Sequence, residues 1–120
     1  MSAEQLDVVI EQGATFAQLW QILDKDLTAV TYSFEAKFRT SHAATSTVLT
    51  LTSTPSPTVT LIVAKSGNHT HLTADVPFAT TAALTAPSSG VYDIEYVNSA
   101  TGIKVRAFEG SYYITPEATR

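Results

Sequence analysis

YSFEAKFR, residues 32–39, alternates without a break: Tyr32, Phe34, Ala36 and Phe38 fall on one side of an extended chain, Ser33, Glu35, Lys37 and Arg39 on the other. Successive side chains of a strand point to opposite faces, so a period of two describes a strand with one face in a core and one in water. VYDIEY, residues 91–96, repeats the pattern, with Tyr92, Ile94 and Tyr96 opposite Asp93 and Glu95. The chain around these two anchors reads the same way. LDVVIE (6–11), TFAQLWQIL (15–23), TVLTLTS (47–53), TVTLIVAK (58–65) and HLTADV (71–76) are further strands. Between them lie Gly13, the DKDLT loop at 24–28, the TPSP segment at 54–57 and SGN at 66–68. Proline cannot donate a ladder hydrogen bond, so TPSP marks a connection.

Alternation stops at PFATTAAL, residues 77–84. Pro77 suits a first helical turn and the alanines favour one or two turns, which predicts a short helical crossover near residues 77–85. About eight strands at this spacing predict an all-β fold, a two-sheet antiparallel Ig-like (Greek-key) β-sandwich filling residues 1–120 as one domain. The polar ends, 1–5 and 116–120, read as short arms. Tyr92, soon after the turn-rich LTAPSSG at 84–90, resembles the tyrosine corner of such sandwiches, whose hydroxyl bonds backbone a few residues upstream.

The last hairpin has a register set by two criteria at once. Pairing Tyr96 with Ile103, Ile94 with Val105 and Tyr92 with Ala107 stacks apolar side chains, while Glu95 meets Lys104 and Asp93 meets Arg106 on the other face. That leaves NSAT, 98–101, as a four-residue loop closed by Val97 and Gly102. Apolar positions then move from odd (Ile103, Val105, Ala107) to even (Tyr112, Ile114), which predicts a bulge at Gly110.

Composition narrows the function. Threonine makes up roughly one residue in six, in keeping with pleated, half-exposed surfaces. The net charge of -4 and the scarcity of Lys and Arg argue against nucleic acid, whose phosphates call for clustered cations. Cysteine is absent, so neither a disulfide framework nor a thiolate zinc site is available. MSAEQLDVVIEQ lacks a cationic segment followed by an apolar one, and no apolar run approaches a membrane span, so neither a leader nor a membrane partner is expected.

The candidates for chemistry each have a plainer reading. His69 and His71 share a strand face and form half a metal site, but no third ligand is spaced to join them. Asp24 and Asp26 flank Lys25 in a loop without the twelve-residue calcium pattern, so a solvated turn is expected. NHT at 68–70 matches a glycosylation acceptor. Asp93 and Glu95 sit beside Lys104 and Arg106, where ion pairing rather than proton transfer is expected. No G-x-S-x-G elbow and no phosphate loop occurs, and no enzyme activity, catalytic residue, cofactor, metal or small-molecule substrate is expected.

VIEQGATF (9–16), Trp20, DLT (26–28), Tyr32, Arg39, TTAALT (80–85), VYDIEY (91–96), Gly102, FEG (108–110) and ITPEATR (114–120) together resemble small virion structural proteins of tailed bacteriophages. The resemblance spans nearly the whole chain and departs from the family at Ala29, where glycine is usual. It implies a non-enzymatic, oligomeric adaptor at the tail, neck, baseplate or fibre attachment, assembled in the host bacterial cytoplasm and located in the virion. Its partners would be copies of itself, in a ring or trimer, and other virion proteins. Two alternatives follow, a capsid decoration (cement) protein and a carbohydrate-binding host-adhesion module. The latter needs exposed aromatics on one face, and Trp20, Tyr112 and Tyr113 are its only plausible contributors. Trp20, however, is expected in the core.

Overall fold

The protein is described here by a computed structural model covering residues 4–29, 31–53 and 60–117. Its elements are β1 (Glu4–Gln5), β2 (Val8–Glu11), β3 (Leu19–Ile22), β4 (Tyr32–Arg39), β5 (Leu49–Thr52), β6 (Leu61–Ser66) and β7 (His69–Ala74), then the helix α1 (Phe78–Ala82), β8 (Ser88–Asn98) and β9 (Ile103–Thr115). The crossover helix is where the sequence places it. The TPSP connection, residues 1–3 and residues 118–120 lie outside the described residues.

One sheet runs β1-β9-β8-β4-β5, with β2 also on β9, and the other runs β3-β7-β6. In immunoglobulin terms these are strands G, F, C and C′ facing strands B, E and D, the variable-type sandwich. The alternation read from the sequence sets the interior: Phe34, Ala36 and Phe38 of β4 and Tyr92, Ile94 and Tyr96 of β8 are all buried. Opposite them lie Trp20, Leu61, Leu72 and Ala74 of the small sheet.

The first edge departs from the all-antiparallel expectation. β1 and β2 both run parallel to β9, with Glu4 beside Phe108 and Val8 beside Tyr112. They form one edge strand broken at Leu6 and Asp7. The Leu6 amide still donates to the Glu109 carbonyl at 3.0 Å, while the Ser111 amide is met by the Asp7 carboxylate at 2.9 Å. Glu4 and Gln5, within the expected N-terminal arm, are thus part of the sheet.

The last hairpin differs from its expected register by two residues. Asn98 pairs with Ile103, Tyr96 with Val105 and Glu95 with Arg106. A two-residue slip preserves parity, so Tyr96 still meets an apolar partner and Glu95 still meets a cation, although Lys104 now falls opposite Val97 and Asp93 opposite Glu109. Turn chemistry decides between them. The Asn98 carbonyl accepts from the Gly102 amide at 2.7 Å, its side chain accepts from the Ala100 amide at 2.9 Å, and Gly102 takes a φ of 73°. The expected ion pairs form all the same, Lys104 to Glu95 at 3.9 Å and Arg106 to Asp93 at 3.7 Å.

The bulge lies elsewhere as well. Register changes between Ile94 and Glu95, where Ala107 is the extra residue of β9, and Phe108 turns inward opposite Ile94. Gly110 has another reason to be glycine: a Cβ there would lie 2.2 Å from the Leu6 carbonyl oxygen. It lets the broken edge strand approach β9.

Tyr92 does not form the expected tyrosine corner with backbone a few residues upstream. β8 begins at Ser88, which carries Tyr92 into the core and away from the preceding turn. Its hydroxyl donates to the Leu6 carbonyl and accepts from the Trp20 indole N–H at 3.1 Å. The phenol therefore ties β8, β3 and the break between β1 and β2. Phe38 stacks on the Tyr92 ring at 5.2 Å, and Tyr112 meets Phe38 edge-on at 5.5 Å. In antibody domains a disulfide links strands B and F through the core. Here Trp20 and Tyr92 make that connection between the same two strands.

Two buried threonines anchor loops onto this frame. The Thr70 hydroxyl accepts from the Leu27 amide and donates to the Lys25 carbonyl, both at 2.8 Å. The Thr81 hydroxyl accepts from the Gly13 amide at 3.1 Å and is 2.7 Å from the Ala14 carbonyl, fixing α1 against the β2–β3 connection.

Three variants test this account. Trp20→Ala costs about 3 to 5 kcal/mol in urea unfolding, because it opens a cavity at the inter-sheet contact. Tyr92→Phe leaves the Trp20 N–H and the Leu6 carbonyl without their partner and costs about 1 to 3 kcal/mol. The same variant changes the alkaline limb. Burial, with smaller contributions from Asp7 and Glu4, raises the Tyr92 phenol from 10.0 to about 12 against the opposing Trp20 hydrogen bond. Its stabilisation is complete below pH 10, the unfolded value, and is lost as pH rises toward 12. In Tyr92→Phe, stability measured across that window falls less steeply. Gly110→Ala pushes the edge strand off β9 at a cost of about 1 to 3 kcal/mol, read as faster hydrogen exchange at the Leu6 and Ser111 amides.

Candidate functional site

The residues that carry chemistry in the sequence are held apart by the sandwich. His69 and His71 do share the outward face of β7. The His69 Nδ1 accepts from the Asp24 amide at 2.9 Å, and the His71 Nε2 lies 3.0 Å from the Gln21 side-chain nitrogen. Among the described residues, no group of three or more His, Cys, Asp or Glu is placed to hold a metal ion.

The DKDLT loop folds onto the β6–β7 turn as a hydrogen-bonded corner. Asp26 accepts from the Thr28 hydroxyl at 2.6 Å and amide at 3.1 Å and pairs with Lys65 at 3.2 Å. The Thr28 hydrogen bonds, helped by Lys65, hold its carboxyl below the usual range. Asp24 takes a φ of 59° and turns its carboxylate toward Asn68 at 3.4 Å. The two carboxylates thus serve different partners instead of converging on one ion. In the NHT segment, Thr70 is fully buried and its hydroxyl is committed to Leu27 and Lys25.

The proposed aromatic platform does not assemble. Trp20 and Tyr112 are each 1% exposed, whereas Tyr113 is 47% exposed on the outer face beside Val9. Alternation explains the separation, since neighbouring residues of β9 project to opposite faces.

Asp93 and Glu95 lie on the outer face of the large sheet, where Arg106 is a hub. Its guanidinium reaches Asp93 at 3.7 Å, Glu95 at 4.0 Å and Glu109 at 3.5 Å. These pairs are solvated and contribute little to stability. A shallow groove of about 510 Å³ crosses this face under the 40–45 loop, lined by Lys37, Arg39, His42, Asp93, Glu95 and Arg106. With both signs interleaved, it has no single-sign field for a phosphate-rich or cationic ligand.

The opposite face is chemically different, and single-segment reading of the sequence does not reveal it. The pairings Leu19–Thr73–Ile62 and Gln21–His71–Ala64 bring outward residues of β3, β7 and β6 into rows, with His69 beside Ser66. None is Asp, Glu, Lys or Arg. Leu19 and Ile62 are 43% and 44% exposed, and Leu23, just past β3, is 58% exposed. The signal was the run of uncharged outward positions in three separate segments, which becomes a surface only once topology places those segments side by side.

No protein-family model matches the chain, and no curated protein matches it. Among solved structures, the NK cell receptor Nkp44, described as a triggering partner in natural cytotoxicity, is similar over 98% of this chain and 100% of its own. The identity is 13% and the TM-score 0.46, a distance at which nothing about binding or activity carries across.

Proposed function

We propose that this chain is a non-enzymatic structural module of a tailed-phage virion, an oligomeric adaptor at the tail, neck, baseplate or fibre attachment that works through its surfaces. The observation that carries the assembly reading is the contrast between the two outer faces. One is laced with ion pairs centred on Arg106, and the other is uncharged with exposed Leu19 and Ile62. An uncharged sheet face with projecting aliphatic side chains is suited to covering by another protein. The buried polar groups support the same reading, since Tyr92, Thr70 and Thr81 have their hydroxyls occupied in holding strands and loops together. The virion assignment itself rests on the motif resemblance that runs from VIEQGATF to ITPEATR.

Purified virions of a phage encoding this chain provide the test. The chain is expected among the virion proteins at a copy number on the order of a dozen, as a symmetric adaptor ring requires. Hundreds of copies on the shell would identify a decoration protein instead. Absence from the particles would overturn the virion assignment.

A further inference from the structure

The geometry points to β3 as the site where a second copy of this chain pairs edge to edge, joining two small sheets into one about a two-fold axis. β3 ends its sheet, with β7 as its sheet neighbour among the described strands. Phe16 and Val76 exchange both amide bonds at 3.0 and 3.1 Å, and the Ala74 amide donates to the Gln18 carbonyl at 2.8 Å. Even-numbered residues of this segment therefore bond toward β7. By the alternation of an antiparallel ladder, the backbone groups of Leu19 and Gln21 turn to the free side, and Leu23 follows in the turn just past the strand.

This edge lacks the devices that normally protect one: β3 carries no lysine, proline or bulge. The other side of the sandwich is treated differently. There the Thr60 amide donates to the Thr52 carbonyl at 3.1 Å and the Thr60 hydroxyl accepts from the Thr52 amide at 3.0 Å, tying the β5 and β6 sides together. Among the described residues, a cleft of about 360 Å³ lies beside β3 instead, lined by Leu6, Leu19, Leu23 and Phe108 together with Glu4 and Gln21.

The occupant is a second copy because the edge is self-complementary. Leu19-Trp-Gln21-Ile-Leu23 reads Leu-x-Gln-x-Leu in either direction. With Gln21 on the two-fold axis, the free backbone groups of the two Gln21 residues pair across it, and the Leu19 side chain lies toward Leu23 of the second copy. Glu4 lines the same cleft as Leu19, Gln21 and Leu23, and Asp24 lies past the end of the strand, where its φ of 59° turns it out of the ladder. The outward faces of both small sheets become continuous and bring no Asp, Glu, Lys or Arg into opposition. The pairing gives the assembly reading a specific edge, yet it does not depend on the virion assignment.

Sedimentation velocity of the full chain from micromolar to millimolar concentration is the first measurement, with a monomer–dimer equilibrium expected. Gln21→Lys places two like charges on the axis and is expected to abolish the dimer, and Leu23→Lys to do the same from the flank. Thr73→Lys charges the same face on the central strand and is expected to leave the dimer intact. The chain has no cysteine, so Gln21→Cys offers a direct readout. Directly opposed hydrogen-bonded residues have Cα atoms about 5.5 Å apart, within disulfide range. Mild oxidation should therefore double the mass of Gln21→Cys on a non-reducing gel and leave Thr73→Cys monomeric. A wild-type chain that stays monomeric overturns the inference. So does a dimer that survives Gln21→Lys, or one that Thr73→Lys disrupts equally. All these readouts use free protein, so they succeed or fail separately from the presence of the chain on particles.

Discussion

The Tyr92 hydroxyl is the point on which the sandwich closes. It accepts a hydrogen bond from the Trp20 indole and donates one to the Leu6 carbonyl, joining both sheets and the N-terminal edge through one buried oxygen. The rest of the architecture follows from accommodating that junction. For Leu6 to present its carbonyl inward, the edge strand must break, and Asp7 then supplies the bond that the Ser111 amide would have lost. The break brings backbone against β9, which tolerates it only because residue 110 has no side chain. Large aromatic rings around the phenol exclude water, so the hydrogen bonds there face no competition from solvent.

Elements whose pattern is local were legible in the sequence. Period-two alternation identified the interior residues of β4 and β8 individually, and the helix at Phe78–Ala82 was marked by the loss of that alternation. Properties that depend on two segments meeting were not legible to the same degree. The final hairpin had two registers of equal parity, and an asparagine side chain with a left-handed glycine chose between them. Gly110 was recognisable as special, but the atom it makes room for belongs to residue 6. Likewise, Tyr92 was recognisable as a hydrogen-bonding core tyrosine, while its partner lay 86 residues away rather than a few.

The surfaces repeat this distinction. Ion pairs on the large sheet could be anticipated because Asp93, Glu95, Lys104 and Arg106 sit in one hairpin. The uncharged surface opposite draws on three segments brought together by strand order, and its neutrality is visible only when they are read as rows. Candidate ligand groups that appear close in sequence turn out to be bound to the frame. Asp26 is held by Thr28 and Lys65, His69 by the Asp24 amide. The polar residues of the small-sheet end thus shape a corner and leave the broad neutral face as its distinguishing feature.

The bridge between strands B and F has a chemical consequence of its own. Antibody domains secure that contact with a sulfur–sulfur bond, which a thiol-rich compartment can cleave and which forms over seconds to hours. This chain uses an indole and a phenol at the same place, and neither responds to glutathione. Its topology is accordingly indifferent to the redox poise of the surroundings, and the core closes at the pace of strand packing rather than of oxidation.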